Sequence, residues 1–257
     1  MNVNLLSSIL LMLLGTCTGL VAGILGIGGG LLMVPVLMVW GVPILEATAT
    51  SLVCVFLSAI SGSWRNWKAG QLQVWASLSL ALGGIPTAQL GAILADRLPA
   101  AGLAFGFAGL QLAAIYLMRL RRQLQRERAP ETTRSRSRPK FVAIGLLAGL
   151  LSGLFGVGGG VVMVPLQMLL LEVPIKLAVR NSLGAIVPIA ASGLARHGYS
   201  GNVLWLPGLC LGIGGVLGAQ LGTRLLPKLP EAVVARSFRL LLLGMAAYTI
   251  VKGFQAM

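Results

Sequence analysis

Two glycine-rich interruptions lie inside long apolar runs, and they constrain the fold of this chain more than any other feature. The first reads Gly-Ile-Leu-Gly-Ile-Gly-Gly-Gly-Leu-Leu-Met-Val-Pro at 23–35, and a matching stretch at 153–165 follows 130 residues later. A glycine break frees backbone N–H and C=O groups, which find no water to bond in lipid. Because such a break is tolerated only where protein or a polar cavity covers it, the pattern predicts two broken helices that line a site.

The composition places the chain in a membrane. Hydrophobic residues make up 56% of its 257 residues and charged residues only 10%, whereas soluble domains carry roughly 25% charged residues. Several apolar segments reach the ~20 residues that a helix needs to cross a bilayer. We therefore predict an all-α, polytopic helical membrane protein.

The sequence divides into two similar halves joined by a basic segment. At an offset of 131 residues, Pro43 aligns with Pro174 and Gln89 aligns with Gln220. Shared prolines and mid-segment glutamines are not generic features of apolar helices, so they indicate an internal duplication. The predicted units are a first transmembrane repeat at 1–118, a basic cytoplasmic linker at 119–140 and a second transmembrane repeat at 141–257.

The net charge of +14 is concentrated in the linker, which holds nine of the twenty Lys and Arg residues. A basic loop between membrane segments is typical of the cytoplasmic side. This distribution favours a topological role and contact with anionic lipid, and it argues against nucleic-acid binding.

The same charges discriminate between two arrangements of the halves. If each broken run crosses the membrane once, the halves are parallel and seven of the twenty basic residues lie outside. If each broken run is a re-entrant hairpin, the halves are inverted repeats, the N-terminus is outside, and only Arg97, Arg196 and Lys252 lie outside. The positive-inside rule favours the inverted arrangement. One kinked or tilted helix per run is the alternative that stays open.

The two glycine triplets are the first candidate substrate-binding residues. N–H groups at the start of a half-helix, at the positive end of its dipole, favour a negatively charged ligand. Close helix packing is the other interpretation of such glycines, but two matching copies favour a site. These candidates are Gly28, Gly29, Gly30, Gly158, Gly159 and Gly160.

Polar side chains after each broken run supply further candidates. Thr50 and Ser51 in the first half, and Asn181 and Ser182 in the second, could hydrogen-bond a small oxyanion or cap a helix N-terminus. Arg180 could neutralise an anion, or it could be an interfacial charge whose stem lies along apolar surface.

Gln89 and Gln220 are the last candidates. They lie in the middle of apolar segments, where an unpaired amide facing lipid is costly. We therefore expect both side chains to face the protein interior, where they contact substrate or a neighbouring helix.

Catalytic chemistry finds little support. His197 is the only histidine and no carboxylate lies deep in a span, which argues against an intramembrane enzyme and against a histidine-based metal centre. We predict no catalytic residue, no metal and no cofactor.

With these motifs in view, the chain resembles the sulfite exporter TauE/SafE family of membrane transporters. The resemblance rests on Gly-x-x-x-Gly-x-x-Gly-x-Gly-Gly-Gly at 19–30 and 149–160, each followed by Met-Val-Pro, and on Ala-Thr-Ala-Thr-Ser-Leu at 47–52. It implies export or exchange of small sulfur-containing anions, such as sulfite or sulfoacetate, across a bacterial cytoplasmic membrane. The segment 180–182 reads Arg-Asn-Ser where the family usually has a Thr-Ser pair, which leaves the identity of the anion open.

Together these features predict a secondary transporter, in the first place an exporter, of a small anion by alternating access. Its expected partners are the small anionic substrate and the lipid bilayer, and homodimerisation is left open. An anion channel and a non-transporting membrane assembly factor are the alternatives.

Overall fold

The computed structural model of this chain describes residues 5–25, 29–127, 137–225 and 231–256. Within these ranges the chain is helical, without strands, which confirms the predicted all-α class. The helices are α1 Leu5–Leu25, α2 Gly30–Val39, α3 Ile44–Lys68, α4 Val74–Arg97, α5 Ala100–Glu127, α6 Arg138–Phe155, α7 Gly160–Leu171, α8 Ile175–Tyr199, α9 Trp205–Leu225 and α10 Glu231–Gln255.

The helix lengths are those of a polytopic membrane protein. Five helices among the described residues (α3, α4, α5, α6 and α8) are long and apolar enough to cross a membrane. Helices α2 and α7 have only 10 and 12 residues, well short of the ~20 residues of a full span. Each short helix follows one of the two glycine interruptions.

Helix α5 is longer than the sequence suggested. It continues to Glu127, nine residues into the segment predicted as a linker, and α6 begins at Arg138. Residues 128–136 lie outside the described residues, and the division into two repeats and a linker stays a prediction.

Prolines open the helices that follow each short helix. Pro43 and Pro174 precede α3 and α8, and their carbonyls accept the N–H groups of Ala47 at 2.8 Å and Ala178 at 2.9 Å. Proline suits this place because the first turn of a helix needs no backbone donor and its φ is already helical.

Two helix pairs pack backbone against backbone. A Cβ at Gly149 of α6 would overlap the carbonyl of Gly84 in α4, and a Cβ at Gly19 of α1 would overlap the carbonyl of Gly215 in α9. Only glycine permits so close an approach of two helices. Gly19 and Gly149 are equivalent in the two halves, so the duplicated motif produces the same packing twice.

The register of these contacts gives the helix directions. Along α1, Gly15 meets Leu211 and Gly19 meets Gly215 of α9, so the two helices run the same way. Helices α4 and α6 also run the same way, since the positions that meet at 80 and 145 are followed by those at 84 and 149.

Helices α3 and α8 lie between these two pairs and run in opposite directions, because Gly62 meets Leu183 whereas Gly193 meets Leu52. Helix α3 runs with α9, because position 53 meets 208 and position 57 meets 212. Helix α8 runs with α4, because position 77 meets 184 and position 84 meets 189. Helices α1, α3 and α9 therefore point one way, and α4, α6 and α8 point the other way. Equivalent helices of the two halves have opposite directions.

The chain turns back at each glycine interruption. Helices α1 and α3 point the same way, and Gly30 at the start of α2 lies beside Val55, well inside α3. Helix α2 therefore returns along α3. Likewise, α7 returns along α8, since Gly158 lies beside Ile186 and Gln167 bonds Ser182. We name α1–α2 hairpin 1 and α6–α7 hairpin 2; a single kinked helix per run is wrong.

One end of the bundle carries an exposed polar cluster. Asp96, at the end of α4, lies 3.6 Å from Arg196 near the end of α8. It also accepts hydrogen bonds from Ser200 at 2.8 Å and Asn202 at 2.6 Å. The end of α10 lies there too, since Gly253 meets Phe105 near the start of α5. This end thus holds Arg97, Arg196 and Lys252, the three basic residues that the inverted arrangement predicts to lie outside.

Candidate functional site

The second interruption is the turn between α6 and α7. Gly156, Gly158 and Gly159 have φ angles of 70°, 73° and 73°, a left-handed conformation that residues with a Cβ rarely adopt. The turn is buried, with only 1% of Val157 exposed. The predicted break is therefore present, and its backbone conformation requires glycine.

This turn leaves backbone donors without a partner among the described residues. The Gly159 carbonyl accepts the N–H groups of Val162 at 3.1 Å and Met163 at 3.0 Å, which starts α7. The N–H groups of Gly158, Gly159 and Gly160 bond no other residue in the described part of the chain. The first N–H groups of a helix point along its axis at the positive end of the dipole. Their arrangement can bind an anion.

The tips of the two hairpins meet. Gly28 lies outside the described residues, but Gly29, with φ of 78°, precedes α2 and Gly30 begins it. A Cβ on Gly30 would overlap the Gly156 carbonyl and would come within 2.8 Å of the Val157 Cα. The second tip thus packs directly on the start of α2. The described residues leave no gap between the two tips at this point.

Helix α3 passes the second tip and is bonded to it. Ser51 Oγ donates to the Gly156 carbonyl at 2.8 Å, and Thr50 Oγ1 accepts the N–H of Leu204 at 3.0 Å. Both side chains are fully buried. The helix cap is Pro43, without a side-chain cap bond, so capping does not explain Thr50 and Ser51. The same holds for α8, whose cap is the equivalent proline.

A second polar cluster joins α7 to α8. Gln167 Nε2 donates to Ser182 Oγ at 2.8 Å and to the Ala178 carbonyl at 3.3 Å, and Gln167 Oε1 accepts from Asn181 Nδ2 at 3.4 Å. The Asn181 carbonyl accepts from Ser77 Oγ of α4 at 3.0 Å. The Asn181 side-chain oxygen is buried and has no partner among the described residues. Asn181 and Ser182 therefore lie together, in a network that also holds α7.

Gln167 is absent from the candidates predicted from the sequence. It is fully buried, and its equivalent in the first half is Leu37. The signal that could have found it is a single amide in an otherwise apolar stretch directly after the Met-Val-Pro motif.

Arg180 is half-buried at the start of α8. Neither a hydrogen bond nor an ion pair joins it to another residue that the structure describes, and the second tip is held by other residues. A role for Arg180 in neutralising an anion stays a prediction.

Gln89 and Gln220 contradict the expectation that they face the interior. Both are exposed on the outer surface of the bundle, and Gln220 Nε2 donates to Ser61 Oγ at 3.2 Å. The packed faces of α4 and α9 are formed by glycine and alanine, which the close helix crossings require. The amides are consequently on the opposite faces of these helices.

His197 of α8 packs against hairpin 2. It is fully buried, and its Nε2 lies 2.8 Å from the Gly153 carbonyl, one turn before the glycine turn. Among the described residues, no group of three His, Cys, Asp or Glu side chains could hold a metal ion.

Broken helices whose half-helix N-termini offer backbone donors, without a partner here among the described residues, are typical of the substrate sites of polytopic membrane transporters. The family model described as "Sulfite exporter TauE/SafE" matches residues 11–249. The chain belongs to this family, and it is a multi-pass membrane transporter of the bacterial inner membrane.

The curated relatives carry transporter names. The chain is 27% identical to the "Probable membrane transporter protein YunE" of Bacillus subtilis, over 96% of this chain and 99% of that protein. It is 32% identical to a "Probable membrane transporter protein" of Xylella fastidiosa, over 92% of each chain. The family and these relatives are named as transporters rather than enzymes. No solved structure matches the chain.

Proposed function

We propose that this protein is a secondary transporter that exports a small anion, a sulfur oxyanion or an organosulfonate such as sulfite or sulfoacetate, by alternating access. The observation that carries the proposal is the set of N–H groups at Gly158–Gly160, which are buried at the start of α7 and have no partner among the described residues. A buried N–H without a partner is costly. A substrate anion that accepts these hydrogen bonds removes the cost while it is bound.

The direction of the helices supports inverted repeats. Equivalent helices of the two halves are opposed, and each short helix turns back beside the helix that follows it. In a membrane, hairpin 1 then enters from the outside and hairpin 2 from the cytoplasm, with the N-terminus outside. Rocking of one half against the other exposes the meeting point of the tips to each side in turn.

The contact between the tips supports alternating access over a permanently open channel. Gly30 lies against the Gly156 carbonyl with no space for a solute between them. The tips must part before an anion can pass, and Ser51, Asn181 and Ser182 lie on the helices that flank this movement. We assign Ser51 to the substrate path because its hydroxyl already lies at the second tip.

Flux of ³⁵S-labelled sulfite and sulfoacetate in proteoliposomes tests the function. We expect saturable flux, with uptake against a concentration gradient when the coupling ion is supplied. Gly158→Ala should abolish the flux of a folded protein, because the new Cβ would need a strained φ and would press on Val55 and Ile186. Gly109→Ala is the control, since its Cβ meets open space.

The outcomes separate the alternatives. Saturable flux that only dissipates a gradient would indicate a channel. Absence of flux for every sulfur anion, with folded wild-type protein, would contradict the substrate class and would favour an assembly factor. A tag at the N-terminus should be accessible from the periplasm, and protection of the tag there would contradict the inverted topology.

A further inference from the structure

Gln111, in the middle of α5, is a buried amide without a partner among the residues that the structure describes. Its side chain is 0% exposed, and neither Nε2 nor Oε1 makes a hydrogen bond to any residue that the structure describes. A primary amide has two donors and one acceptor to satisfy. An apolar interior penalises such a group, so a buried amide that stays unpaired requires a physical reason.

The inner face of α5 carries the amide towards hairpin 2. Gln111 follows Phe107 by one helical turn, so the two side chains share a face. The Phe107 ring lies edge-on to the ring of Phe155, with centroids 6.0 Å apart. Phe155 is the last residue of α6, directly before the glycine turn. Gln111 is therefore about one turn along α5 from the level of this turn, and α5 packs on α7, whose N–H groups begin there.

A second unpaired group belongs to the same neighbourhood. Ser152 Oγ is fully buried without a partner in the described ranges, one turn before Gly156. The region thus has three kinds of unused donor: the Gln111 amide, the Ser152 hydroxyl and the N–H groups that begin α7. The Asp and Glu residues of the described ranges lie at or near helix ends, at Glu46, Asp96, Glu127, Glu172 and Glu231.

The two halves differ at this position. The equivalent of Gln111 in α10 is Leu242, which is also fully buried. A leucine satisfies this packing position in the second half without any polar cost, so packing alone does not require an amide in the first.

We propose that Gln111 contacts the transported anion, donating from its side-chain amide to a substrate oxygen on the α5 side of the second tip. The proposal rests on the function proposed above and extends it, because it adds a residue on α5 to a site otherwise built from the hairpins, α3 and α8. The ligand class is a small oxyanion or sulfonate, since the unused groups are predominantly donors.

The test compares wild-type protein with Gln111→Leu and with the control Gln89→Leu, an amide on the exposed surface. Two quantities are measured: the thermal midpoint in detergent with and without sulfite, and the KM and maximal rate of ³⁵S-sulfite flux. We expect Gln111→Leu to have a midpoint equal to or above that of the wild type, to lose the sulfite-dependent rise, and to show a KM raised at least tenfold. Gln89→Leu should change none of these.

Gln111→Met preserves the side-chain length without the amide and replaces the leucine variant if that variant does not fold. Gln111→Glu, which places a negative charge at the same position, should abolish flux. Wild-type flux with an unchanged KM in a folded Gln111→Leu or Gln111→Met protein overturns this proposal alone. Absence of flux and of an anion-dependent midpoint in the wild type, with sulfite and with sulfoacetate alike, overturns the proposed function and this proposal with it.

Discussion

Hairpin 1 and hairpin 2 share their glycine motif but are held differently. In hairpin 2, Gln167 of α7 forms buried hydrogen bonds to α8. In hairpin 1, the equivalent residue is Leu37, which packs in an apolar cluster and has no polar atom to bond α3. Helix α7, the second helix of hairpin 2, is therefore held to α8 by hydrogen bonds. Helix α2, the second helix of hairpin 1, is held to α3 by apolar packing.

This difference bears on how the tips part. Hydrogen bonds require specific geometry and are lost when two helices slide, whereas apolar contacts are non-directional. We infer that α2 separates from α3 more readily than α7 separates from α8. Opening by movement of hairpin 1 should accordingly be the easier of the two movements.

The largest expected effect concerns what the hairpins share. Gly19→Val and Gly149→Val should each destabilise the protein by about 3 kcal/mol or more, because the added side chain meets a backbone carbonyl that cannot move aside. Thermal unfolding in detergent measures this, with Gly244→Val as the control, since a Cβ there meets nothing within 4 Å. A loss of stability in only one of these two variants would show that the α1–α9 and α4–α6 crossings are not equivalent.

The next effect concerns what the hairpins do not share. Gln167→Leu should destabilise the protein by about 2 kcal/mol, because it removes several buried hydrogen bonds and leaves Asn181 and Ser182 unpaired. Hydrogen–deuterium exchange should show α7 better protected than α2 in the wild type, and the variant should lose this difference. Equal protection of α2 and α7 in the wild type would contradict the claim that α7 is held more firmly than α2.

A smaller effect on stability is expected directly after α2 and α7, where each of these helices ends. Gly41, after α2, and Glu172, after α7, occupy equivalent positions with φ of 83° and 54°. Gly41→Ala should cost about 1 kcal/mol, because its Cβ meets open space and only the left-handed conformation penalises alanine. Gly109→Ala, in a helix with equal space, should be neutral or stabilising. Equal costs in unfolding measurements would contradict the conformational origin of this effect.

The smallest effect concerns one of the hydrogen bonds between the halves, from α3 to the second tip. Ser51→Ala removes the hydroxyl that donates to the Gly156 carbonyl, and single interhelical bonds in membranes contribute about 0.6 kcal/mol. Ser79→Ala, which affects only a bond to its own helix, is the control. We expect a small loss of stability for Ser51→Ala and a change in sulfite KM that the control does not show. An unchanged KM would remove Ser51 from the substrate path.

The sequence was sufficient to predict the broken helices, because a glycine motif repeated inside two apolar runs is unfavourable in lipid unless protein covers the break. It was also sufficient for the helical class, whereas the binding role of the polar residues of α3 and α8 stays a prediction. Gln167 and Gln111 were not predicted, since a single amide in an apolar helix reveals neither its depth nor its partners. The prediction that Gln89 and Gln220 face the interior failed because their helices pack through the opposite, glycine-rich face, although Gln220 does bond a neighbouring helix.

The most direct test of the central claim is anomalous diffraction from crystals of transport-active protein soaked with selenite, a heavier analogue of sulfite. We predict one anomalous peak within hydrogen-bonding distance of the N–H groups of Gly158–Gly160, close to Gly29 and Gly30, and displacement of the peak by sulfite. A peak at another place only, with the two tips packed on each other and free of any ion, would contradict the account.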